Sequence, residues 1–118
     1  MNLFDLPPDE GREFLEVLAK GQGVRVERIV SRGQASPDGF WYDEAEDEWV
    51  CLLSGSAVIG FENGSLTLSA GDCVLIFAHT RHRVERTGAS PPCVWLCVFG
   101  HFEKNLKEDS PDEAVRPL

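Results

Sequence analysis

Short runs in which apolar and polar residues alternate dominate the chain from residue 24 onward. Ala57, Ile59 and Phe61 occupy one face of such a run, and a second run follows the dipeptide Asn63-Gly64, which favours a two-residue hairpin turn. A period of two residues is typical of a strand that is buried on one side. Further runs lie at 24–30, 49–53, 74–77, 82–86 and 93–99. Many short strands separated by Gly, Asn and Pro predict an antiparallel all-β sandwich or barrel.

The first and last segments of the chain do not follow this pattern. Residues 8–20 begin with a Pro-Asp pair that suits a helix start, and they carry Phe14, Leu15 and Leu18 at helical spacing. We therefore predict one N-terminal α-helix there, which lies on the barrel or mediates a dimer contact. Residues 103–118 are charged, contain two prolines and lack periodicity, which indicates a polar tail or a short terminal helix.

The size and charge of the chain restrict its partners. With 118 residues, we expect a single domain over 1–118 with a barrel core over about 24–100. The net charge of −9 disfavours nucleic acids and anionic membranes as partners. No apolar run approaches the roughly 20 residues that span a membrane, and the N-terminus lacks a basic region followed by an apolar stretch. These features predict a cytoplasmic protein without a nucleic-acid or membrane partner.

The four cysteines, Cys51, Cys73, Cys93 and Cys97, lie inside apolar runs, and no two of them form a Cys-x-x-Cys pair. A structural zinc site is therefore not expected. We interpret them as reduced core residues, because a buried free thiol behaves as a small hydrophobe and cytoplasmic disulfides are rare. A redox or nucleophilic role for one of them is the alternative, and the sequence singles none of them out.

Two stretches combine turn glycines and polar residues at spacings known from a protein family. In GDCVLIFAHTRHRVER, Gly71 opens a strand and His82 follows it by eleven residues. In GFWYDEAEDEWVCLLSG, Glu48 precedes Gly55 by seven residues. Together they resemble the two motifs of the cupin superfamily, and the chain is similar to small bacterial cupins of unassigned function. This resemblance implies an antiparallel jelly-roll β-barrel.

The resemblance also implies a divalent metal ion inside the barrel, held by three histidines and one glutamate. Glu48 and His82 stand at two of these positions, and Trp41 and Asp43 occupy the places of two histidines. Asp43 can supply an oxygen ligand, whereas Trp41 is expected to line the pocket. His79 becomes a further ligand if it turns inward at its corner. We therefore expect either a bound Zn, Mn, Fe or Ni ion or a barrel that has lost its metal and kept its shape.

Strand alternation extends the pocket beyond these residues. If Glu48 faces inward, so does Val50, and if His82 faces inward, so does Val84. This assignment predicts an apolar pocket wall beside the polar pair. The alternative is that Glu48 belongs to a solvated acidic loop and that His82 is a hydrogen-bonded core histidine.

These residues support three functional hypotheses. The first is a small-molecule-binding cupin that holds a divalent metal weakly or not at all. The second is a metal-dependent enzyme of the oxygenase or isomerase type, in which Glu48 and His82 hold the metal and Asp43 is a third ligand or a general base. The third is a non-catalytic structural or interaction module. Because the run at 93–99 is apolar on both faces and needs cover on both sides, we also expect a homodimer.

Overall fold

The computed structural model describes residues 1–103 and 114–118. Within these residues the chain forms nine β-strands and no α-helix. The strands are β1 (Phe14–Gly21), β2 (Val24–Ser31), β3 (Asp47–Ser54), β4 (Ser56–Phe61), β5 (Gly64–Ser69), β6 (Cys73–Ile76), β7 (His82–Thr87), β8 (Cys93–Gly100) and β9 (Val115–Pro117). No helix long and apolar enough to cross a membrane occurs in this part of the chain.

The strands form two antiparallel sheets that face each other. The larger sheet has the strand order β1-β2-β8-β3-β6-β9, and the smaller sheet has the order β5-β4-β7. Neighbouring strands of each sheet pair antiparallel. The antiparallel all-β fold expected from the alternating runs is thus confirmed.

The hydrophobic core lies between the two sheets. On β8, Trp95, Cys97 and Phe99 point into this core and are each no more than 4% exposed. The partly buried Leu96 and Val98 alternate with them on the outer face. The remaining buried core residues come from both sheets: Val50, Leu52, Ala57, Ile59, Leu68, Val74, Ile76 and Cys93. Burial of these side chains supplies the main driving force that holds the sheets together.

The predicted helix over residues 8–20 is wrong, because residues 14–21 form β1. The apolar spacing that suggested a helix also fits a strand, with Phe14 and Leu18 on one face and Leu15 on the other. A two-residue hairpin loop, Gln22-Gly23, brings β1 back against β2, since Gly21 pairs with Val24. Ladder hydrogen bonds between the two strands then outweigh local helical preference.

An ion pair supports this strand pairing. The Glu16 carboxylate lies 2.6 Å from the Arg28 guanidinium on the adjacent strand. Arg28 also donates hydrogen bonds to the carbonyls of Leu3 and Asp5, and so ties the N-terminal segment to the outer face of the larger sheet. A helix over residues 8–20 would take Glu16 out of the strand position from which it pairs with the buried Arg28.

Two further expectations need adjustment. The hairpin predicted at Asn63-Gly64 is present, but Phe61 pairs with Gly64, so its turn residues are Glu62 and Asn63. Part of the predicted C-terminal tail, residues 104–113, lies outside the described residues. The segment 115–117 is neither tail nor helix but strand β9, which pairs with the edge of β6 and satisfies its backbone groups.

We predict that Gly55→Ala destabilises the fold by about 3 kcal/mol, through left-handed backbone strain and overpacking. Gly55 has a φ of +90°, and an added Cβ would lie 2.7 Å from the Cys93 sulfur and 2.9 Å from its Cα. Gly39→Ala is the matched control, because Gly39 has a φ of +78° with no atom within 4 Å of the added Cβ. Its cost should be about 1 kcal/mol, from backbone strain alone. Urea unfolding measures the free energy of unfolding of both variants. Equal destabilisation by Gly55→Ala and Gly39→Ala would contradict a packing clash at Gly55.

Candidate functional site

A cavity of about 250 Å³ lies between the inner faces of the two sheets. Its polar lining consists of Glu13, Arg25, Glu27, Tyr42, Glu44, Glu48 and His82. Its remaining lining residues are Leu15, Ile29, Val50, Ile59, Ile76, Val84, Trp95, Cys97 and Phe99. Leu15 is 54% exposed, so the cavity opens to solvent beside β1. The site therefore combines apolar walls with a group of titratable side chains.

Glu48 and His82 meet inside this cavity. Glu48 lies on β3 of the larger sheet and His82 begins β7 of the smaller sheet. The Glu48 Oε1 and His82 Nε2 atoms are 3.3 Å apart, and the two side chains are 13% and 9% exposed. Val50 and Val84, two positions further along each strand, also line the cavity. The structure thus brings together four of the residues that strand alternation assigned to the pocket.

The hydrogen bonds of the imidazole define its protonation. His82 Nδ1 lies 2.8 Å from the Thr80 carbonyl oxygen, which can only accept, so Nδ1 carries a proton. Burial by itself lowers the pKa of His82, but the hydrogen bonds to Glu48 and Thr80 and the negative charges of Glu48 and Glu44 raise it above its ordinary value. The raised pKa favours the protonated imidazole, whose Nε2 then forms an ion pair with Glu48.

Tyr42 lies against this pair because of its backbone pairing. The Tyr42 N–H donates to the His82 carbonyl at 2.7 Å, and the His82 N–H donates to the Tyr42 carbonyl at 3.1 Å. Residues paired in this way project to the same face, which puts Tyr42 in the cavity. Its ring stacks on the imidazole at a centroid distance of 5.3 Å. Burial and the nearby carboxylates raise the pKa of Tyr42, so its hydroxyl stays protonated.

The same pairing places Trp41 and Asp43 outside the cavity, which corrects their assignment to the pocket. They flank Tyr42 and therefore project to the opposite side. Trp41 lies under the Arg81 guanidinium, at 5.1 Å from the ring centroid. Tyr42 and Glu44 occupy the inward positions instead. The residues that point inward are thus one position away from the predicted ones. The backbone bridge between Tyr42 and His82 decides which residues of this segment face the cavity.

His79 also lies outside the cavity. Its Nδ1 is 2.9 Å from Asp43 Oδ1, and the two side chains are 69% and 51% exposed. Its backbone has a φ of +60° and its N–H donates to the Glu44 carbonyl, so the corner turns the ring outward. The four predicted ligands are thus divided between an inner pair, Glu48 and His82, and an outer pair, Asp43 and His79.

Two further groups surround the inner pair. Burial and the charge of Glu48 raise the pKa of the Glu44 carboxyl. Burial and the nearby Glu48 carboxylate raise the pKa of Cys97 well above its ordinary value, so Cys97 is a neutral thiol beside that carboxylate. Glu44 was not among the predicted site residues, and Cys97 was expected in the core. Cys97 lies at alternate positions with Trp95 and Phe99 on β8, and this spacing could have placed it on the face that lines the cavity.

A second ion pair, also missed from the sequence, lies on the β2 side of the cavity. The Arg25 guanidinium lies 2.6 Å from Glu27 and 3.1 Å from Glu46, and it stacks over the Phe99 ring at 4.3 Å. Arg25 and Glu27 share the inward parity of Ile29 on β2. The sequence shows that Arg25, Glu27 and Ile29 share one face of a strand. Charged residues at alternate positions more often lie on a solvent-exposed face, so the sequence did not indicate an ion pair in the cavity.

The donor set does not fit the metal ion that the cupin resemblance implies. Catalytic zinc and non-haem iron sites use three protein ligands. Across residues 1–103 and 114–118, no group of three or more His, Cys, Asp or Glu side chains is arranged to hold a metal. His82 Nδ1 faces the Thr80 carbonyl at 2.8 Å and Nε2 faces Glu48 at 3.3 Å, so His82 and Glu48 are the one pair of candidate ligands that meet in the cavity. Metal binding therefore stays a prediction.

We expect Glu48→Gln to lower the pKa of His82 below the ordinary 6.5, because burial remains while the hydrogen-bonded charge is lost. NMR titration of the His82 ring protons measures this. Glu62→Gln is the control, since Glu62 pairs with Arg81 on the surface at 3.3 Å. A pKa below 6.5 for His82 in the unmodified protein would contradict the charged pair.

Stability should follow the same titration. Because the folded pKa of His82 is raised above 6.5, its contribution to stability is fully present below pH 6.5 and is lost as the pH rises through the folded pKa. In the Glu48→Gln protein, the free energy of unfolding should not show this decrease as the pH rises above 6.5.

Comparisons with known proteins agree with the fold. The family described as cupin domain matches residues 29–99. A protein from Ralstonia eutropha JMP134, provisionally assigned as a mannose-6-phosphate isomerase, is 44% identical, with 86% of this chain and 97% of that chain covered and a TM-score of 0.81. No curated protein gives a significant match.

More distant solved structures share the fold alone. A cupin superfamily protein from Desulfitobacterium hafniense DCB-2 is 19% identical over 82% of this chain and 84% of that chain, with a TM-score of 0.68. An RmlC-like cupin from Desulfovibrio desulfuricans is 15% identical over 85% and 93%, with a TM-score of 0.69. With the family match over residues 29–99 and the 44% identical relative, the chain belongs to the cupin family.

Proposed function

We propose that this cupin binds a small organic cation, such as a primary amine with a compact apolar body, in the cavity between its sheets. One observation carries the proposal: Glu44 Oε2 is buried at the cavity and has no hydrogen-bond partner among the described residues. A buried acceptor left unpaired costs about 1–3 kcal/mol. A ligand ammonium group would satisfy it.

The other carboxylates of the cavity already have partners. Glu27 pairs with Arg25 at 2.6 Å and Glu48 pairs with His82 at 3.3 Å. Glu13 accepts a hydrogen bond from the Ser31 hydroxyl at 2.7 Å. Glu44 is therefore the carboxylate best placed to recognise a ligand. Its raised pKa means that an entering cation would also favour its ionised form.

Charge balance argues against an anionic ligand. The lining holds four glutamates, and its two cationic groups, Arg25 and His82, are each bound to carboxylates. A phosphate or carboxylate ligand would have to displace one of these pairs and leave a buried charge behind. A phosphorylated sugar, the kind of substrate that the provisional assignment of the Ralstonia eutropha relative suggests, is therefore a poor fit to this cavity.

The cavity volume and walls set the size of the ligand. The cavity volume of about 250 Å³ is smaller than the roughly 300–1,000 Å³ of binding sites for drug-sized molecules. Trp95 and Phe99 offer aromatic surfaces and Val50 and Val84 offer aliphatic ones. A single ring or a short branched chain bearing one amine matches both the space and the apolar walls.

Two further parts of the proposal concern the state of the protein. A cytoplasmic location agrees with four free cysteines, since disulfides persist mainly in oxidising compartments. A homodimer through the outer face of β8 agrees with the partly buried Leu96 and Val98 on that face. Light scattering tests the dimer, and a monomer mass would contradict it.

We expect benzylamine to bind more tightly than benzyl alcohol, and benzoate to bind least, because the three differ mainly in the charge that they present to Glu44. Quenching of Trp95 fluorescence and the shift in thermal unfolding both report binding. Glu44→Gln should weaken benzylamine binding by about tenfold, the value of one charge-assisted hydrogen bond, and leave benzyl alcohol unchanged.

The matched control for this experiment is Glu62→Gln, which removes a carboxylate outside the cavity lining. It should leave the order of the three probes intact. Tighter binding of benzoate than of benzylamine would overturn the assignment of a cationic ligand.

A further inference from the structure

Two of the four cysteines face each other across neighbouring strands. Cys51 on β3 lies directly opposite Cys73 on β6. Directly opposed residues of an antiparallel pair project to the same face of the sheet. Because Val50 and Leu52 point into the core, Cys51 and with it Cys73 lie on the outer face of the larger sheet. The two thiols are thus separate from the cavity.

The backbone hydrogen bonds put this pair at a non-hydrogen-bonded position of the ladder. The Cys73 carbonyl accepts from Leu118 N–H at 3.0 Å, on the β9 side of β6 and away from β3. The next residue on β3, Leu52, donates to the Asp72 carbonyl at 3.0 Å, as the alternation of the ladder requires. Opposed Cα atoms at such positions are about 4.5 Å apart, within the roughly 4.4–6.8 Å that a disulfide bridges.

We propose that Cys51 and Cys73 form a thiol oxidation site, which a low-molecular-weight disulfide converts to an internal disulfide. Cys73 is partly exposed and Cys51 is 7% exposed, so the oxidant reaches Cys73 first. The Cys73 thiolate attacks one sulfur of the oxidant, a mixed disulfide forms, and the released thiolate takes up a proton. The Cys51 thiolate then attacks the Cys73 sulfur and releases the second small thiol. Two protein thiols are oxidised while one disulfide is reduced to two thiols.

The environment of Cys51 supports this order of events. Burial and a hydrogen bond to Cys73 raise the pKa of Cys51 to about 11, so Cys51 rests as a thiol beside the other sulfur. A thiol that is rarely ionised is a poor first nucleophile, but proximity compensates in the second, intramolecular step. Cys73 therefore starts the exchange and Cys51 resolves it.

The other two cysteines are internal controls within the same chain. Cys93 and Cys97 are 0% and 1% exposed. Their opposed residues on β2 are Ser31 and Glu27, so neither has a cysteine to pair with. Oxidation should therefore be confined to the β3–β6 pair, where a disulfide would fix the strands that carry Glu48 and Ile76 of the cavity.

The experiment treats the reduced full chain with oxidised glutathione and follows intact mass and free thiols. We expect a loss of two of the four thiols and of the mass of two hydrogens. Cleavage after glutamate separates Cys51, in peptide 49–62, from Cys73, in peptide 63–85, so the disulfide appears as a linked peptide pair. Cys51→Ser should keep one glutathione on Cys73, and Cys73→Ser should take up none.

Two results would overturn the proposal. One is that the folded wild-type chain keeps all four thiols under conditions that oxidise a dithiol peptide. The other is that wild type accumulates glutathione on Cys73 without forming the linked peptides, which would mean that Cys51 cannot reach it. Both readouts use the unmodified protein, so a variant that fails to fold does not affect them.

Discussion

The contact between Glu48 and His82 constrains the rest of the site, because it joins the two sheets through a buried pair of opposite charges. Removing two charged groups from water costs several kcal/mol for each, and only close pairing with further hydrogen bonds repays this. Here a further bond is present, since His82 Nδ1 donates to the Thr80 carbonyl at 2.8 Å. The pair is therefore tolerated only when β3 and β7 both present their correct faces to the cavity.

That requirement explains which parts of the site the sequence could predict. Glu48 and Val50 lie on one regular strand and His82 and Val84 on another, so a local period of two was enough to assign their faces. Trp41 and Asp43 lie in a segment with only one isolated bridge, from Tyr42 to His82. Which residue points inward there depends on a partner forty positions away, and no local pattern contains that information. The helix prediction for residues 8–20 was wrong for a related reason, because pairing with β2 determines that residues 14–21 form a strand.

The proposed ligand class depends on the side chains that line the cavity. Glu48 and His82, which the motif resemblance assigned to the site, line the cavity, and Tyr42 and Glu44 also point into it. The proposal of a cationic ligand rests on this carboxylate-rich lining, in which Glu44 Oε2 has no hydrogen-bond partner among the described residues. Fold membership therefore does not determine function, and the side chains around the pair do.

A double-mutant cycle between Glu48 and His82 tests the central contact most directly. The free energy of unfolding would be measured for wild type, Glu48→Gln, His82→Gln and the double variant, at pH 6 and at pH 9. We expect a coupling energy between Glu48 and His82 of about 1–2 kcal/mol at pH 6, within the range for residues in contact. The coupling should shrink at pH 9, once the imidazole has lost its charge. A coupling near zero at pH 6 would contradict a charged pair inside the cavity.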